Sequence, residues 1–512
     1  MVSSRVDPVV VVGAVAPTEV AGVAEVADRI DGSLEPLPRV VWRIAGVVGL
    51  VLLGCGARYG WHRDELYFRE AGRNLAWGYV DQPPFTPLVA RVADLVAPDN
   101  LVVLRCVPAL ACVATVVLGA MVVREMGGGR QAQVAAAAAM ASSGFVLGSG
   151  HLLSTATFDL TAWMAILLLV ARLLRTGDPR WWVAIGAAAG VAMLNKNLVV
   201  LLVAAVVAGL VIERRRDLLA TWWVPIGAVV AIGIAAPHLL WQATNGWPQL
   251  EMARALSDRL GGENRTQLLP QQILLVGPAL VPLWRRGTHW LRHDRPGRPF
   301  RPLLWMWPVG MAAVFATGGR PYYAVPFSLV VALAGIGAVA DRAVWIARSL
   351  VLTAVVTAPL ALPILPIATA RITGTVNETT AETIGWPELA SQVAAVVRSL
   401  PADERDHAVI LTASYGEAGA IDRFGPALGL PPAYSAHNGY YDFRRPHDDD
   451  ATVVAVRYRP ETLAPHFDSC TRVATVDNGR SVDNEAQGAP ILVCRGLRDP
   501  WSATWPRLRH VS

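Results

Sequence analysis

Residues 101–123 read LVVLRCVPALACVATVVLGAMVV, an apolar run broken by a single charge, Arg105. As a helix rising 1.5 Å per residue it reaches roughly 35 Å, enough to cross a hydrocarbon core of about 30 Å. The pattern repeats on both sides of it. Comparable runs fall at 39–57, 132–150, 159–175, 181–194, 198–212, 221–241, 271–284, 302–317, 323–340 and 345–366. Counting each short run beside Asn195-Lys196-Asn197 as one crossing predicts eleven. Composition agrees: the 512 residues are 53% hydrophobic and 17% charged, where a soluble domain is about half apolar and a quarter charged.

The charges between the runs orient them. With a cytoplasmic N-terminus, the inner loops are Arg124–Gln131, Arg172–Arg180, Glu213–Asp217, Arg285–Arg301 and Asp341–Arg348, and each holds arginine. The fourth carries Arg285, Arg286, Arg292, Arg295, Arg298 and Arg301, as cytoplasmic loops do. An odd number of crossings leaves the residues after 370 outside the cell. The net charge of +5 resides in these loops, so it is no nucleic-acid signature. Residues 1–38 contain no cleavable signal, because VVVVGAVA follows an acidic residue and is short; a disordered cytoplasmic tail is expected there.

The fold class expected is a polytopic α-helical membrane protein with a small C-terminal extracytoplasmic α/β domain. Residues 39–368 form the transmembrane domain and 369–512 the outer domain, with 58–100 a long first outer loop. A second outer segment, Pro237–Gln272, is also long; both mix aromatic, proline and charged residues, as helices at a membrane interface do. In the tail, Pro387–Leu400 and Glu417–Leu428 read as helices, and Ala408–Ser414, Thr452–Val456 and Ile491–Cys494 as buried strands. Cys55, Cys106 and Cys112 read as small hydrophobes. Cys470 and Cys494 can pair if the tail lies in an oxidising compartment.

Five features could carry chemistry. Asp64-Glu65 places two carboxylates just past the first crossing, where one could act as a base on an acceptor hydroxyl and the other orient it or hold a metal; the plain alternative is an acidic first helical turn. Tyr79-Val80-Asp81-Gln82-Pro83-Pro84 stiffens the same loop, or is simply a turn. Asp159 opens an apolar run at the outer face, where the helix dipole alone would favour it. Lys196 is the sole lysine of the chain; an intramembrane ammonium suits phosphate, though snorkelling would also place one there. Arg320-Pro321-Tyr322-Tyr323 offers an outer-face guanidinium and phenols, against an ordinary aromatic belt. No Gly-rich phosphate loop and no zinc spacing is present, so no nucleotide cofactor is expected.

Taken together, these residues resemble the GT-C membrane glycosyltransferases, in the bacterial branch of protein O-mannosyltransferase-like and lipid A aminoarabinose transferase-like enzymes (glycosyltransferase family 39 type). The markers are Asp64-Glu65, Tyr79-x-Asp81-Gln82-Pro83-Pro84, Asp159, Lys196 and Arg320-Pro321-Tyr322-Tyr323, over residues 39–340. Tyr415-Gly416-Glu417-Ala418-Gly419-Ala420 and the Cys470/Cys494 pair resemble the outer domain of bacterial members. The resemblance implies a multi-pass enzyme of the cell membrane that takes a polyprenyl-phosphate sugar and glycosylates a glycan, lipid or protein acceptor, with inversion. Asp64 would be the base, with Glu65 and Asp159 further catalytic acids. Lys196, Arg320, Tyr322, Tyr323 and Arg63 would hold the donor phosphate. Tyr79, Asp81 and Gln82 would position the loop, and Asp81 matches a position that binds a divalent metal in the aminoarabinose branch. This chain departs from that branch at Gln82 and Tyr67, where basic residues stand. The rival reading is a transporter or lipid-linked-sugar flippase, which shares the many crossings; the charges here cluster at one face rather than at the midplane.

Overall fold

The apolar runs fold as helices whose ends are set by caps and breakers. The computed structural model describes residues 34–338, 343–449 and 451–511. Most of the expected N-terminal tail, and Asp341 of the fifth expected inner loop, lie outside the described residues. Helix α1 (Arg39–Cys55) begins after Pro38, and α2 (Arg63–Arg73) and α3 (Phe85–Val96) fill the first loop. Asn100 then caps α4 (Leu101–Glu125), its Oδ1 accepting the Val102 and Val103 N–H groups at 3.0 and 3.1 Å. α5 (Arg130–Ser142) and α6 (Gly144–His151) meet at a 59° bend. α7 (Thr155–Thr176) stops at Gly177 in the left-handed conformation. α8 (Trp181–Met193), α9 (Val199–Ile212), α10 (Trp223–Thr244), α11 (Pro248–Val276), α12 (Val281–His293), α13 (Arg301–Thr317), α14 (Val325–Ala338) and α15 (Ala343–Ala361) complete the helical part.

The protein is polytopic, but the expectation of eleven full-length crossings is corrected. Among the described residues five helices are long and apolar enough to span a membrane, or six if the bent α5–α6 pair is one span. The remaining runs fall short for physical reasons. α8 and α9 have 13 and 14 residues, roughly 20 Å of helix. The run at 271–284 is two helices, because Gly277 at φ 131° and Pro278 separate α11 from α12. α12 is amphipathic, burying Leu283, Gly287, Trp290 and Leu291 while Arg285, Arg286 and Arg292 lie off that face. α10 and α15 bury only 17% and 22% of their apolar stretches, so Val229, Ile232, Val351 and Val355 face outward, as lipid-facing side chains do. Inside the bundle Gly186 of α8 packs on Gly227 of α10 with no room for a side chain at either.

Beyond the helices, α16 (Trp386–Ser399), β1 (Val409–Thr412), α17 (Tyr415–Phe424), β2 (Ala433–Ser435), β3 (Val453–Val456), β4 (Phe467–Thr475), β5 (Pro490–Leu497) and α18 (Trp501–Leu508) form the C-terminal domain. Its five-stranded sheet has the order β2-β1-β3-β5-β4, with β2, β1 and β3 parallel and β5 and β4 antiparallel. The three strands and two helices expected from sequence are present, although α17 ends at Phe424 and Pro426–Leu428 is a 3-10 turn. β2 escaped notice because it has three residues, and β4 because it is a mostly exposed edge strand without an apolar run. Cys470 of β4 and Cys494 of β5 are disulfide-bonded, while Cys55, Cys106 and Cys112 are free.

The two parts share a core. Trp61, Leu66, Tyr67 and Phe68 of the first loop and Leu104 of α4 pack in one cluster with Trp386, Leu389, Ile410, Ile421 and Ile491 of the C-terminal domain. The first loop is therefore the seat on which that domain rests.

Candidate active site

His62 starts α2. Its Nδ1 accepts the Asp64 N–H at 3.1 Å, and Glu65 Oε2 accepts the His62 N–H at 2.9 Å, a reciprocal cap. The cap sends the two neighbouring carboxylates in different directions. Glu65 is wholly buried against Arg105 of α4, with Nε to Oε1 at 2.9 Å and Nη2 to Oε2 at 2.7 Å. Its Oε1 also accepts the Leu153 N–H at 3.1 Å, and Arg105 donates onward to the Gly56 and Gly60 carbonyls at 3.1 and 2.8 Å. Both Glu65 oxygens are thereby taken, inside the protein and off the cavity surface.

Asp64 instead lines a cavity of about 890 Å³, together with Arg63, His151, Arg320, Tyr322, Glu382 and Tyr415. Its side chain keeps 33% exposure. Tyr415 Oη donates to Asp64 Oδ1 at 2.8 Å, and Arg63 Nε lies 3.6 Å from the same oxygen. Burial works to raise the Asp64 carboxyl, but His62, Arg63, the Tyr415 hydroxyl and Arg320 outweigh it and hold the group below the usual carboxylate range. Asp64 is thus ionised and open to a ligand.

Small residues on α17 make the Tyr415 contact possible. A Cβ at Gly419 would lie 2.8 Å from the Leu66 Cβ, and one at Gly416 would lie 3.1 Å from the Arg63 Cβ. Ser414 caps α17 by accepting the Gly416 N–H at 3.2 Å. The Tyr415 ring stacks on His437 at 5.0 Å and packs on Tyr67 at 4.7 Å. The motif 415–420 is therefore a docking surface that delivers one phenol to Asp64.

Of the expected phosphate ligands, Arg63, Arg320 and Tyr322 line this cavity, whereas Lys196 and Tyr323 lie outside its lining, against Tyr322. Lys196 Nζ donates to Tyr322 Oη at 3.2 Å and lies 5.0 and 4.6 Å from the ring centres of Tyr322 and Tyr323. Asn195 holds the lysine turn in place: its Oδ1 accepts from Thr86 at 2.9 Å, and its Nδ2 donates to the Thr155 carbonyl at 2.8 Å. Arg320 and Tyr322 line the cavity. Asp159 is buried within α7, its Oδ1 lacks a hydrogen-bond partner, and it lies outside the cavity lining.

The 79–84 segment sits beside the cavity rather than in its wall. Tyr79 donates its N–H to the Gln82 carbonyl at 2.8 Å and its hydroxyl to the Ala71 carbonyl at 2.9 Å. Gln82 is buried, with its amide nitrogen unpartnered. Asp81 Oδ1 accepts from Tyr67 Oη at 2.9 Å, and Asn438 Nδ2 lies 3.5 Å from Oδ2. Burial pushes Asp81 up to about 7. No group of three His, Cys, Asp or Glu side chains placed to share a metal occurs among the described residues. One carboxylate already accepting from a phenol is a poor fit to a divalent ion, which needs several oxygen ligands.

Several residues of the site were missed in sequence. Arg105 was visible only as a charge inside an apolar run. Glu485 joins Arg63 to Arg457, whose Nε lies 2.9 Å from Glu417 Oε1, so a chain of charges leads from the cavity into the C-terminal domain. Nothing local marks these tail carboxylates, because Arg457 stands on a separate strand-to-helix connection and Arg63 in the first loop, more than four hundred residues before Glu485.

Comparison with known proteins locates the fold. A family model described as dolichyl-phosphate-mannose-protein mannosyltransferase matches residues 81–241. No curated protein matches the chain in sequence. Among solved structures, ArnT from Cupriavidus metallidurans bound to undecaprenyl phosphate is similar at a TM-score of 0.55 and 17% identity, over 88% of this chain and 97% of that one. The apo state of the same protein gives a TM-score of 0.55 and 17% identity over 93% and 98%. The chain has the GT-C fold of these membrane proteins.

Proposed function

We propose that this protein is a membrane glycosyltransferase that moves a sugar from a polyprenyl-phosphate donor to an acceptor hydroxyl at the extracytoplasmic face, with inversion. One observation carries the reading: Asp64, ionised and water-accessible, shares its cavity with Arg63, Arg320 and Tyr322, and Tyr322 is bound to Lys196. Undecaprenyl phosphate, the ligand of ArnT, has the lipid chain and phosphate that such a cavity would receive. Its apolar wall of Phe145, Leu274, Leu275, Leu360 and Ala361 would take the lipid.

The acceptor oxygen attacks the anomeric carbon as Asp64 takes its proton, and the bond from that carbon to the phosphate oxygen breaks. The electron pair goes to the lipid phosphate, whose growing charge Lys196, Arg320 and Arg63 stabilise, with Tyr322 and Tyr323 as hydroxyl donors. A single displacement inverts the anomeric centre. Glu65 serves here as a positioning residue through Arg105, and Tyr79, Asp81 and Gln82 brace the loop. Asp159 is assigned as a second acid behind the lysine turn.

Topology is proposed on the same footing. Because the 58–100 loop and the C-terminal domain share a core, both lie on one side of the membrane. With α1 as a crossing, an even number follows between them. The arginine-rich inner loops support a cytoplasmic N-terminus and a site outside.

The test is Asp64→Asn in purified protein given a radiolabelled polyprenyl-phosphate sugar. Transfer falls by at least 100-fold in the variant; unimpaired transfer refutes the base assignment, and wild-type inactivity with every such donor refutes the transferase reading.

A further inference from the structure

One wall of the cavity holds none of the residues proposed to bind the donor. It is built from residues 374–383 and the loop Asp483–Glu485, rich in hydroxyls, amides and carboxylates. The wall is anchored beside Asp64: the Glu382 carbonyl accepts the Arg63 N–H at 3.3 Å and the Trp386 indole N–H at 2.8 Å, and the Ile384 carbonyl accepts from Asn484 Nδ2 at 2.8 Å.

Glu382 is the informative residue. It is 7% exposed; its Oε1 accepts the Glu485 N–H at 2.9 Å, while its buried Oε2 has no partner. A buried carboxylate oxygen left without a donor is unfavourable; Glu382 lines the cavity, and a small rotation of its carboxyl group would offer that oxygen to a ligand hydroxyl there. Burial pushes Glu382 up to about 7, so near neutrality the group can accept or donate to a hydroxyl. Glu485, by contrast, is held by Arg63 and Arg457.

The charge balance narrows the ligand. Residues 374–383 and 483–485 carry the carboxyl groups of Glu378, Glu382, Asp483 and Glu485 and no basic side chain of their own; Arg63, from the first loop, is bound to Glu485. A wall of that sign repels anions while its oxygens and amides accept and donate to hydroxyls.

We propose that this wall is the acceptor subsite, that its ligand is a neutral, hydroxyl-rich carbohydrate, and that Glu382 Oε2 bonds a hydroxyl flanking the one facing Asp64. The assignment of the wall to an acceptor rests on the transferase reading above, but the binding it requires can be measured without transfer. Full-length protein in lipid nanodiscs is titrated with maltopentaose, cellopentaose and mannopentaose, and with mannopentaose 6-phosphate, by calorimetry and saturation-transfer NMR. At least one neutral pentasaccharide binds, and the phosphorylated one binds at least tenfold more weakly than mannopentaose. Glu382→Ala weakens neutral binding tenfold or more and Glu382→Gln by less, while undecaprenyl phosphate binding by native mass spectrometry stays within twofold, which also reports that the variants are folded. The proposal is overturned if no neutral saccharide binds, if the phosphorylated one binds as well, or if Glu382→Ala leaves binding unchanged. Saccharide binding that follows this pattern without transfer from any polyprenyl-phosphate sugar would sink the transferase reading and leave the carbohydrate site standing.

Discussion

Replacing Arg105 by methionine keeps a long apolar stem in α4 but removes four hydrogen bonds, two to Glu65 at 2.9 and 2.7 Å and two to the Gly56 and Gly60 carbonyls at 3.1 and 2.8 Å. Glu65 is fully buried and Arg105 is 1% exposed, so water cannot replace the lost partner. Stranding one member of a buried ion pair costs about 3–5 kcal/mol. The carboxylate has one escape, which is to take up a proton. From the ordinary glutamate value of about 4.3, that uptake costs about 3.7 kcal/mol at pH 7 and about 1 kcal/mol at pH 5. The penalty of Arg105→Met is therefore expected near 4 kcal/mol at pH 7 and to shrink by roughly 2–3 kcal/mol at pH 5. The sign follows from the group: proton uptake in the variant's folded state favours that state more as pH falls. Adding Glu65→Gln removes the stranded charge but keeps an oxygen for only one of the His62 and Leu153 N–H groups, which bond different oxygens of Glu65, so the double variant recovers roughly 1–2 kcal/mol at pH 7. Unfolding in mixed detergent micelles, followed by tryptophan fluorescence at both pH values against wild type, measures these differences. A penalty equal at pH 5 and pH 7, or a double variant no better than the single one, would refute the account of Glu65 as a charge held by Arg105.

Tyr415→Phe keeps the ring stack but removes a hydrogen bond to an ionised carboxylate, of about 1.5–3 kcal/mol before discounting for the exposure of Asp64. Since that hydroxyl helps hold Asp64 down and the base works only when ionised, the acid limb of kcat/KM moves up by about 1 pH unit, with little change near pH 8; a uniform loss at every pH contradicts this. Lys196→Met removes the ammonium beside Tyr322 and lowers undecaprenyl phosphate affinity by roughly 10–100-fold in native mass spectrometry, and unchanged affinity would remove Lys196 from the phosphate site. Gly419→Val drives a side chain into Leu66, whose Cβ would be 2.8 Å away, and the overpacking costs about 1–3 kcal/mol. Transfer is lost while undecaprenyl phosphate still binds, and retained transfer would show that α17 need not seat on α2.

The helices and the C-terminal domain were legible because hydrophobic run length and buried-strand composition are local signals. Crossing number was not, because it depends on breaks such as Gly277-Pro278 that leave the composition of a run unchanged. The two carboxylates at 64 and 65 looked equivalent in sequence; only the cap at His62 and the Arg105 pairing separate an exposed acid from a buried one. Asp81 and Asp159 were placed near the site but not in its wall, since sequence order cannot say which side of a helix faces a cavity. Glu382 and Glu485 were invisible, as Arg63, which meets both, lies 319 and 422 residues earlier.

The shared core explains why an acid at the start of α2 needs a domain from the far end of the chain. A carboxylate at a membrane surface is exposed both to lipid, which would neutralise it, and to water, which would leave it unoriented. Arg63 and Arg320 supply charge that keeps Asp64 ionised, and those groups alone would leave its direction loose. Tyr415 fixes the direction, but a phenol can do so only if α17 approaches α2 to backbone distance, which Gly416 and Gly419 permit. Leu66, Tyr67 and Phe68 then bury against the tail domain, and that apolar contact provides the rigidity the polar contact lacks. The same docking brings the wall around Glu382 to Asp64, on a domain free to vary apart from the membrane helices. On the proposed transferase reading, donor chemistry resides in the membrane part and acceptor choice in the wall around Glu382, so exchanging residues 374–383 and 483–485 should change the acceptor without changing the lipid donor.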